Sequence, residues 1–126
     1  MPNLRPLRWI GRSLEDMRSF PAAVRRGLGY ALHFAQAGTK HPAAKPLKGF
    51  AGAGVLEVVE DYQGDTYRAV YTVQFAEAVY VLHAFEKKSK KGISTPKREM
   101  DLVRQRLSLA EQVHRQSKSS GRLNKP

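Results

Sequence analysis

The sequence predicts an α+β domain in which helices pack on a mostly antiparallel four-stranded sheet. Helically spaced apolar residues lie near the N-terminus, three strand-like runs follow between residues 55 and 85, and an amphipathic stretch comes last. This order, β-α-α-β-β-β-α, places two helices before the three consecutive strands and one after them. We expect one domain at 1–116, followed by a disordered basic tail at 117–126.

The first elements are a short strand and two helices. Leu4 to Ile10 alternates loosely and predicts the strand. Ser13 followed by Asp16 resembles a capping box, which would begin a short helix. Pro21 is suited to the start of the second helix, and Gly38 to its end. The apolar residues between them have the spacing of a helix that faces a core: Val24, Leu28, Leu32 and Ala35.

A loop and three strands are predicted next. Thr39 to Gly54 contains prolines, glycines and lysines, which favour a loop. Val55 to Glu60 is β-branched, and Thr66 to Phe75 alternates, with Arg68, Val70 and Thr72 on one face. Ala78 to Phe85 is almost wholly apolar, as in a central strand. Thr95 and Pro96 then begin a last helix with the core residues Met100, Val103, Leu107 and Ala110.

Net charge is the first functional indication. Twenty-two Lys and Arg against eleven Asp and Glu give +11, with an isoelectric point near 10.3. Such a surplus favours polyanionic partners, because bound cations neutralise phosphates and release counterions. The charge alone leaves RNA, DNA, an anionic membrane, an acidic protein and a merely well-solvated surface as alternatives.

Composition and missing motifs exclude several classes of protein. The chain has no cysteine, so it has neither disulfides nor thiolate metal ligands. It contains no P-loop, no dinucleotide-binding glycine pattern, no HExxH spacing and no nucleophile elbow. No apolar run approaches the roughly 20 residues that span a bilayer, and no secretory signal is visible. We therefore predict a cytoplasmic protein without membrane association, metal or cofactor.

A run of lysines is the densest local signal. Four of them stand between the apolar strand and the last helix, at Lys87, Lys88, Lys90 and Lys91. Ammonium groups this close repel one another, and a helix N-terminus adds partial positive charge, so a bound polyanion would relieve the repulsion. The alternative is a solvated linker.

Arg68 and His83 are the other candidates. Arg68 projects from the middle of a predicted strand, where it either pairs with a carboxylate such as Glu57 or faces an open groove. His83 is either a satisfied core histidine or, by alternation, shares a strand face with Lys87. In the second case an imidazole and an ammonium group could approach one phosphate.

The same residues carry a resemblance to a known family. From roughly Leu7 to Val113 the chain resembles the phage-derived branch of the RelE/HigB toxin superfamily. The resemblance rests on the order of elements and on the segments Lys45-Pro-Leu-Lys48-Gly, Asp65-Thr-Tyr-Arg68-Ala-Val-Tyr71, Leu82-His-Ala-Phe85-Glu-Lys-Lys88 and Thr95-Pro-Lys-Arg-Glu99.

The resemblance implies a RelE-like fold and a toxin of a type II toxin–antitoxin system. Such toxins cut mRNA in the decoding site of the small ribosomal subunit, where the RNA 2′-hydroxyl attacks the adjacent phosphate without a metal. The implied partners are mRNA on the ribosome and a cognate antitoxin with a helix-turn-helix DNA-binding domain.

The resemblance also implies roles for particular residues. Arg68 would clamp the scissile phosphate, Lys87 and Lys88 would stabilise developing charge, and His83 would act as general acid or base. RNA binding is assigned to Lys45, Lys48, Lys90, Lys91 and Arg98.

One position departs from the family pattern. Many relatives have a basic residue where this sequence has Val59, and Lys45 or Lys48 could substitute for it. Two alternatives therefore stay open. One is a ParE-like protein that inhibits DNA gyrase without cutting RNA, and the other is a non-toxic, basic, nucleic-acid-binding phage accessory protein.

Overall fold

The order of elements is the predicted one, with one short strand added. A computed structural model describes residues 3–50, 52–87 and 95–123, with side chains as far as residue 118. The described elements are β1 (Leu7–Trp9), α1 (Ser13–Arg18), α2 (Ala22–Gln36), β2 (Lys45–Pro46), β3 (Val55–Tyr62), β4 (Asp65–Thr72), β5 (Val79–Lys87) and α3 (Lys97–Leu123). The predicted α+β class is confirmed.

Within the described residues the sheet has five strands in the order β1-β5-β4-β3-β2, so the expected count of four is wrong. The additional strand is β2, which pairs Lys45 with Glu57 and Pro46 with Leu56 at the edge of the sheet. Two residues are too few to show an alternating pattern, and this is why the segment was predicted to be a loop. The sheet is mostly antiparallel, since only β1 pairs in parallel, with β5.

A tight hairpin sets the register between β3 and β4. Gln63 and Gly64 both have positive φ, 51° and 86°, between the paired residues Tyr62 and Asp65. A two-residue turn of this kind matches the twist of the strands it joins. The predicted alternation of β4 is confirmed: Tyr67, Ala69 and Tyr71 belong to one core cluster, and Val70 to the other.

The helices α1 and α2 cover one face of the sheet. The predicted stripe of α2 is confirmed, since Val24, Leu28, Leu32 and Ala35 are all buried. The predicted capping box is wrong. Ser13 is itself the first residue of α1, and its hydroxyl donates a hydrogen bond to the Val81 carbonyl oxygen at 3.1 Å. That contact fastens the helix to β5.

The helix α3 covers the other face. Val103 and Ala110 are fully buried against this face, with Met100 and Leu107 packed beside them. The helix begins at Lys97, and the Met100 N–H donates to the Pro96 carbonyl oxygen at 3.0 Å. The helix continues to Leu123, into the segment 117–126; a disordered tail there stays a prediction.

No helix in the described ranges is both long and apolar enough to cross a bilayer.

Candidate functional site

The face of the sheet that α3 covers brings the predicted site residues together. Cα pairing across β2, β3, β4 and β5 aligns Lys45, Glu57, Val70 and His83 in one row. The next row contains Val59, Arg68 and Phe85. Residues paired in this way project from the same side of a sheet. We call the group Lys45, Glu57, Arg68 and His83 the site face.

Arg68 forms a buried ion pair with Glu57. Its Nη1 lies 3.2 Å from Glu57 Oε1, and the two side chains are 6% and 15% exposed. The other oxygen of Glu57 accepts a hydrogen bond from the Thr95 hydroxyl at 2.7 Å. The Arg68 Nε is buried without a hydrogen-bond partner in the described part of the chain. Of the two alternatives for Arg68, the structure has the ion pair, so the guanidinium does not face an open groove.

Thr95 therefore has a different role from the predicted helix cap. Its hydroxyl donates to Glu57, two residues before α3 begins, and so links the start of the helix to β3. The predicted cap is wrong because α3 begins at Lys97, so Thr95 lies one residue before the N-cap position.

A β-bulge determines which way His83 projects. Val70 pairs with His83, but the next residue of β4, Tyr71, pairs with Val81, so Leu82 is skipped. Strict alternation would put Val81 and His83 on one face. The bulge instead places Leu82 and His83 both towards α3, while Val81 packs in the α2 core.

His83 is held between two charged residues of α3. Its Nε2 lies 2.6 Å from Glu99 Oε1, and Arg106 Nη1 donates to its Nδ1 at 3.1 Å and to the Leu82 carbonyl oxygen at 3.0 Å. A guanidinium only donates, so Nδ1 must accept, and the proton of the neutral ring must lie on Nε2 and point to Glu99. Both ring nitrogens are therefore engaged.

Burial keeps this imidazole neutral. Desolvation lowers the pKa of His83 from its ordinary value, and the hydrogen bond to Glu99 opposes that effect only in part. A neutral histidine near pH 7 can accept or release a proton only after its bond to Arg106 or Glu99 opens.

The neutral state predicts a pH-dependent stability. The folded protein binds the proton less well than the unfolded chain, so this contribution is present above the ordinary pKa of 6.5 and is lost as pH falls below it. We expect His83→Gln to be destabilising near pH 7.5, and the difference in unfolding free energy to shrink towards about pH 5.5. Urea unfolding of both proteins across this range tests it. A difference that stays constant would contradict the neutral state.

The remaining candidates lie around the site face. Lys87 ends β5, about 13 Å along the strand from His83 at roughly 3.3 Å per residue. The Thr66 hydroxyl donates to its carbonyl oxygen at 3.2 Å. Arg98 is exposed in the first turn of α3, and Lys48 is exposed on the segment after β2. Lys88, Lys90 and Lys91 lie outside the described residues.

Val59 stands directly opposite Arg68 in the β3–β4 ladder and projects to the same side. The position where the resemblance implies a basic residue is thus beside the guanidinium, and here it is half-buried and apolar. Lys45 lies one row away on the edge strand, and its substitution for that basic residue stays a prediction.

An open cleft adjoins the site face. It has a volume of about 490 Å³ and lies between β2, the segment that follows it, and the start of α3. Its lining residues are Lys45, Pro46, Leu47, Lys48, Gly49, Glu57, Thr95 and Met100. The cleft therefore places two predicted RNA-binding lysines next to the carboxylate that holds Arg68.

Sequence reasoning missed Glu99 and Arg106 as partners of His83. They lie seven residues apart, and Val103 between them is fully buried. Charged residues on the buried stripe of a helix indicate an internal pair, and that signal was available. In the described part of the chain, no group of three or more His, Asp or Glu side chains could hold a metal ion.

Comparison with known proteins identifies the family. The model of the family "Phage derived protein Gp49-like (DUF891)" matches residues 15–108. No curated protein sequence matches the chain.

Two solved structures are similar to the chain. A mutant of the Escherichia coli toxin RelE in the free state is 22% identical, with a TM-score of 0.51, over 64% of this chain and 81% of that one. A chain of the toxin–antitoxin complex RelBE2 from Mycobacterium tuberculosis is 21% identical, with a TM-score of 0.40, over 68% of this chain and 94% of that one. The first of these shows a RelE-like fold. The chain thus belongs to the phage-derived Gp49-like family, within the RelE/HigB toxin superfamily.

Proposed function

We propose that this protein is the toxin of a type II toxin–antitoxin system and acts as a ribosome-associated mRNA endoribonuclease. The observation that supports it best is the site face, where Arg68 and His83 lie on neighbouring rows with Lys45 at the edge. The net charge of +11 provides the attraction that an RNA ligand needs. The proposed location is the cytoplasm, where mRNA and ribosomes are found.

The proposed reaction is transesterification within the RNA. The 2′-oxygen loses its proton and bonds to the adjacent phosphorus, the bond to the 5′-oxygen breaks, and that oxygen takes a proton. The products are a 2′,3′-cyclic phosphate and a 5′-hydroxyl. Cationic side chains can stabilise the added negative charge by preorganised electrostatics, so the reaction requires no metal.

Each candidate has a proposed part in this reaction. Arg68 clamps the phosphate, Lys87 and Lys88 stabilise the developing charge, and His83 transfers a proton. The RNA backbone is held by Lys45, Lys48, Lys90, Lys91 and Arg98. Because Arg68 is paired with Glu57 and only 5% exposed, the phosphate must displace or share that carboxylate when it binds. His83 must likewise exchange one of its hydrogen bonds for the substrate.

The proposed protein partner is a cognate antitoxin with a helix-turn-helix DNA-binding domain. A strongly basic toxin favours an acidic partner surface, which would compete with RNA for the same cations. No membrane association is proposed.

A second function is favoured by a specific observation. Val59 stands where the resemblance implies a basic residue, and Arg68 and His83 are both engaged in internal contacts. These features fit a ParE-like inhibitor of DNA gyrase that binds without cutting RNA.

One experiment separates the two. After induced expression, mRNA 5′ ends are mapped on ribosomes and the upstream fragments are assayed for 2′,3′-cyclic phosphate. We expect new 5′ ends within open reading frames, and a 2′,3′-cyclic phosphate at the 3′ end of each matching upstream fragment. Growth arrest with intact mRNA and inhibited DNA supercoiling would select the gyrase function instead.

A further inference from the structure

The cleft beside the site face has the chemistry of a nucleotide subsite. We infer that it binds one nucleobase of the RNA and prefers bases with an exocyclic amino group to uracil. This inference deepens the proposed function, on which it rests, because it gives the same site a base preference.

The shape and lining of the cleft suit a nucleobase. The cleft has about 490 Å³, within the range of roughly 300–1,000 Å³ typical of small-ligand sites. Pro46, Leu47 and Met100 form apolar walls against which a flat base can pack. Methionine adapts its shape to the ring that it contacts. The backbone at Gly49, which has a φ of +97°, lies close to α3. A Cβ added at this position would lie 3.5 Å from Met100 Cε.

Two unpaired cations stand at the rim. Lys45 and Lys48 both line the cleft and are exposed, and neither ammonium group has an ion pair or hydrogen bond in the described part of the chain. Lys45 lies directly opposite Glu57 in the β2–β3 ladder and still makes no ion pair with it. Both ammonium groups are therefore available for phosphates on either side of a bound base.

Glu57 provides the base discrimination. A carboxylate has about four lone-pair positions, two on each oxygen. In Glu57 one position on one oxygen is occupied by Arg68, and one on the other oxygen by the Thr95 hydroxyl. The remaining positions of a carboxylate accept hydrogen bonds and cannot donate them. Adenine, cytosine and guanine present exocyclic amino donors, whereas uracil has none, and its one ring donor, N3–H, lies between two carbonyl oxygens. A carboxylate that approaches this N3–H also meets those two acceptors, which repel it.

The test is binding of 5′-AMP, 5′-CMP, 5′-GMP and 5′-UMP to the intact protein, followed by amide chemical shifts in NMR. We expect saturable binding in the millimolar range, with shifts at Leu47, Gly49 and Thr95. UMP should bind about tenfold more weakly than the other three, as the loss of one hydrogen bond to a charged group implies. Equal affinity for UMP, shifts confined to α2, or no saturable binding would each overturn the inference.

Variants separate the phosphate and base contributions. Lys45→Gln/Lys48→Gln should weaken binding of all four nucleotides by a similar factor, while Arg25→Gln/Arg26→Gln, on the opposite layer, should weaken it far less. Glu57→Gln, whose amide both donates and accepts, should bring UMP to within about twofold of the others. Thr95→Val frees one oxygen of Glu57 and should widen the ratio. If Glu57→Gln fails to fold, the Thr95 variant still tests the base preference, and the lysine variant still tests the phosphate contacts.

The outcomes for the two proposals are distinct. A protein that ranks the nucleotides as expected but leaves mRNA intact would overturn the nuclease and keep the subsite. A protein that cuts mRNA but shows no ranking would do the reverse.

Discussion

Replacing Arg68 with alanine is expected to abolish growth arrest. The substitution removes the cation proposed to clamp the phosphate, and it leaves the Glu57 carboxyl group, only 15% exposed, without its partner. Breaking a buried ion pair from one side costs about 3–5 kcal/mol of stability. The measurements are growth after induction, and thermal unfolding of the purified variant.

A matched variant separates catalysis from folding. Arg68→Met/Glu57→Gln removes both charges, so no unpaired charge stays buried, and we expect a stability much closer to that of the unchanged protein. It should still be non-toxic. A folded double variant that arrests growth as the unchanged protein does would remove Arg68 from the site and leave the pair with a purely structural role.

The second large effect is expected at the end of β5. Lys87→Gln/Lys88→Gln should lower single-turnover cleavage on programmed ribosomes at saturating protein. A cation in a preorganised site contributes roughly 3 kcal/mol in the transition state, or about a hundredfold in rate. Saturation removes differences in binding from the comparison.

The control pair must remove the same charge away from the site face. Arg25 and Arg26 are exposed on α2, which covers the opposite face of the sheet. The variant Arg25→Gln/Arg26→Gln is therefore the control. Long-range attraction should weaken about equally in both double variants. Equal losses of the cleavage rate would mean that Lys87 and Lys88 act only through general attraction, and the site would have to be sought elsewhere.

Local patterns predicted most of the fold. The stripe of α2 and the alternation of β4 are properties of neighbouring residues, and both predictions are confirmed. The failures come from contacts across the chain. Ser13 donates to Val81, 68 residues away, in place of capping its own helix, and Thr95 donates to Glu57, 38 residues away. The strand β2 exists only because β3 lies beside it.

The sequence predicted the site about as completely as it predicted the fold. The pairing of Arg68 with Glu57 was one of two alternatives, because adjacent strands make it possible. The surroundings of His83 were not predicted. The bulge that turns it towards α3 breaks the period of two, and its partners Glu99 and Arg106 lie 16 and 23 residues further along the chain.

A chain that pairs residues 7–9 with residues 79–81 cannot complete its sheet early in synthesis. Contacts between such distant segments slow folding, because a long loop must close before they form. The strand β5 also forms the ladder with β4 that contains the row of Arg68 and Phe85. We therefore expect the nascent chain to have no assembled site face until β5 has left the ribosome.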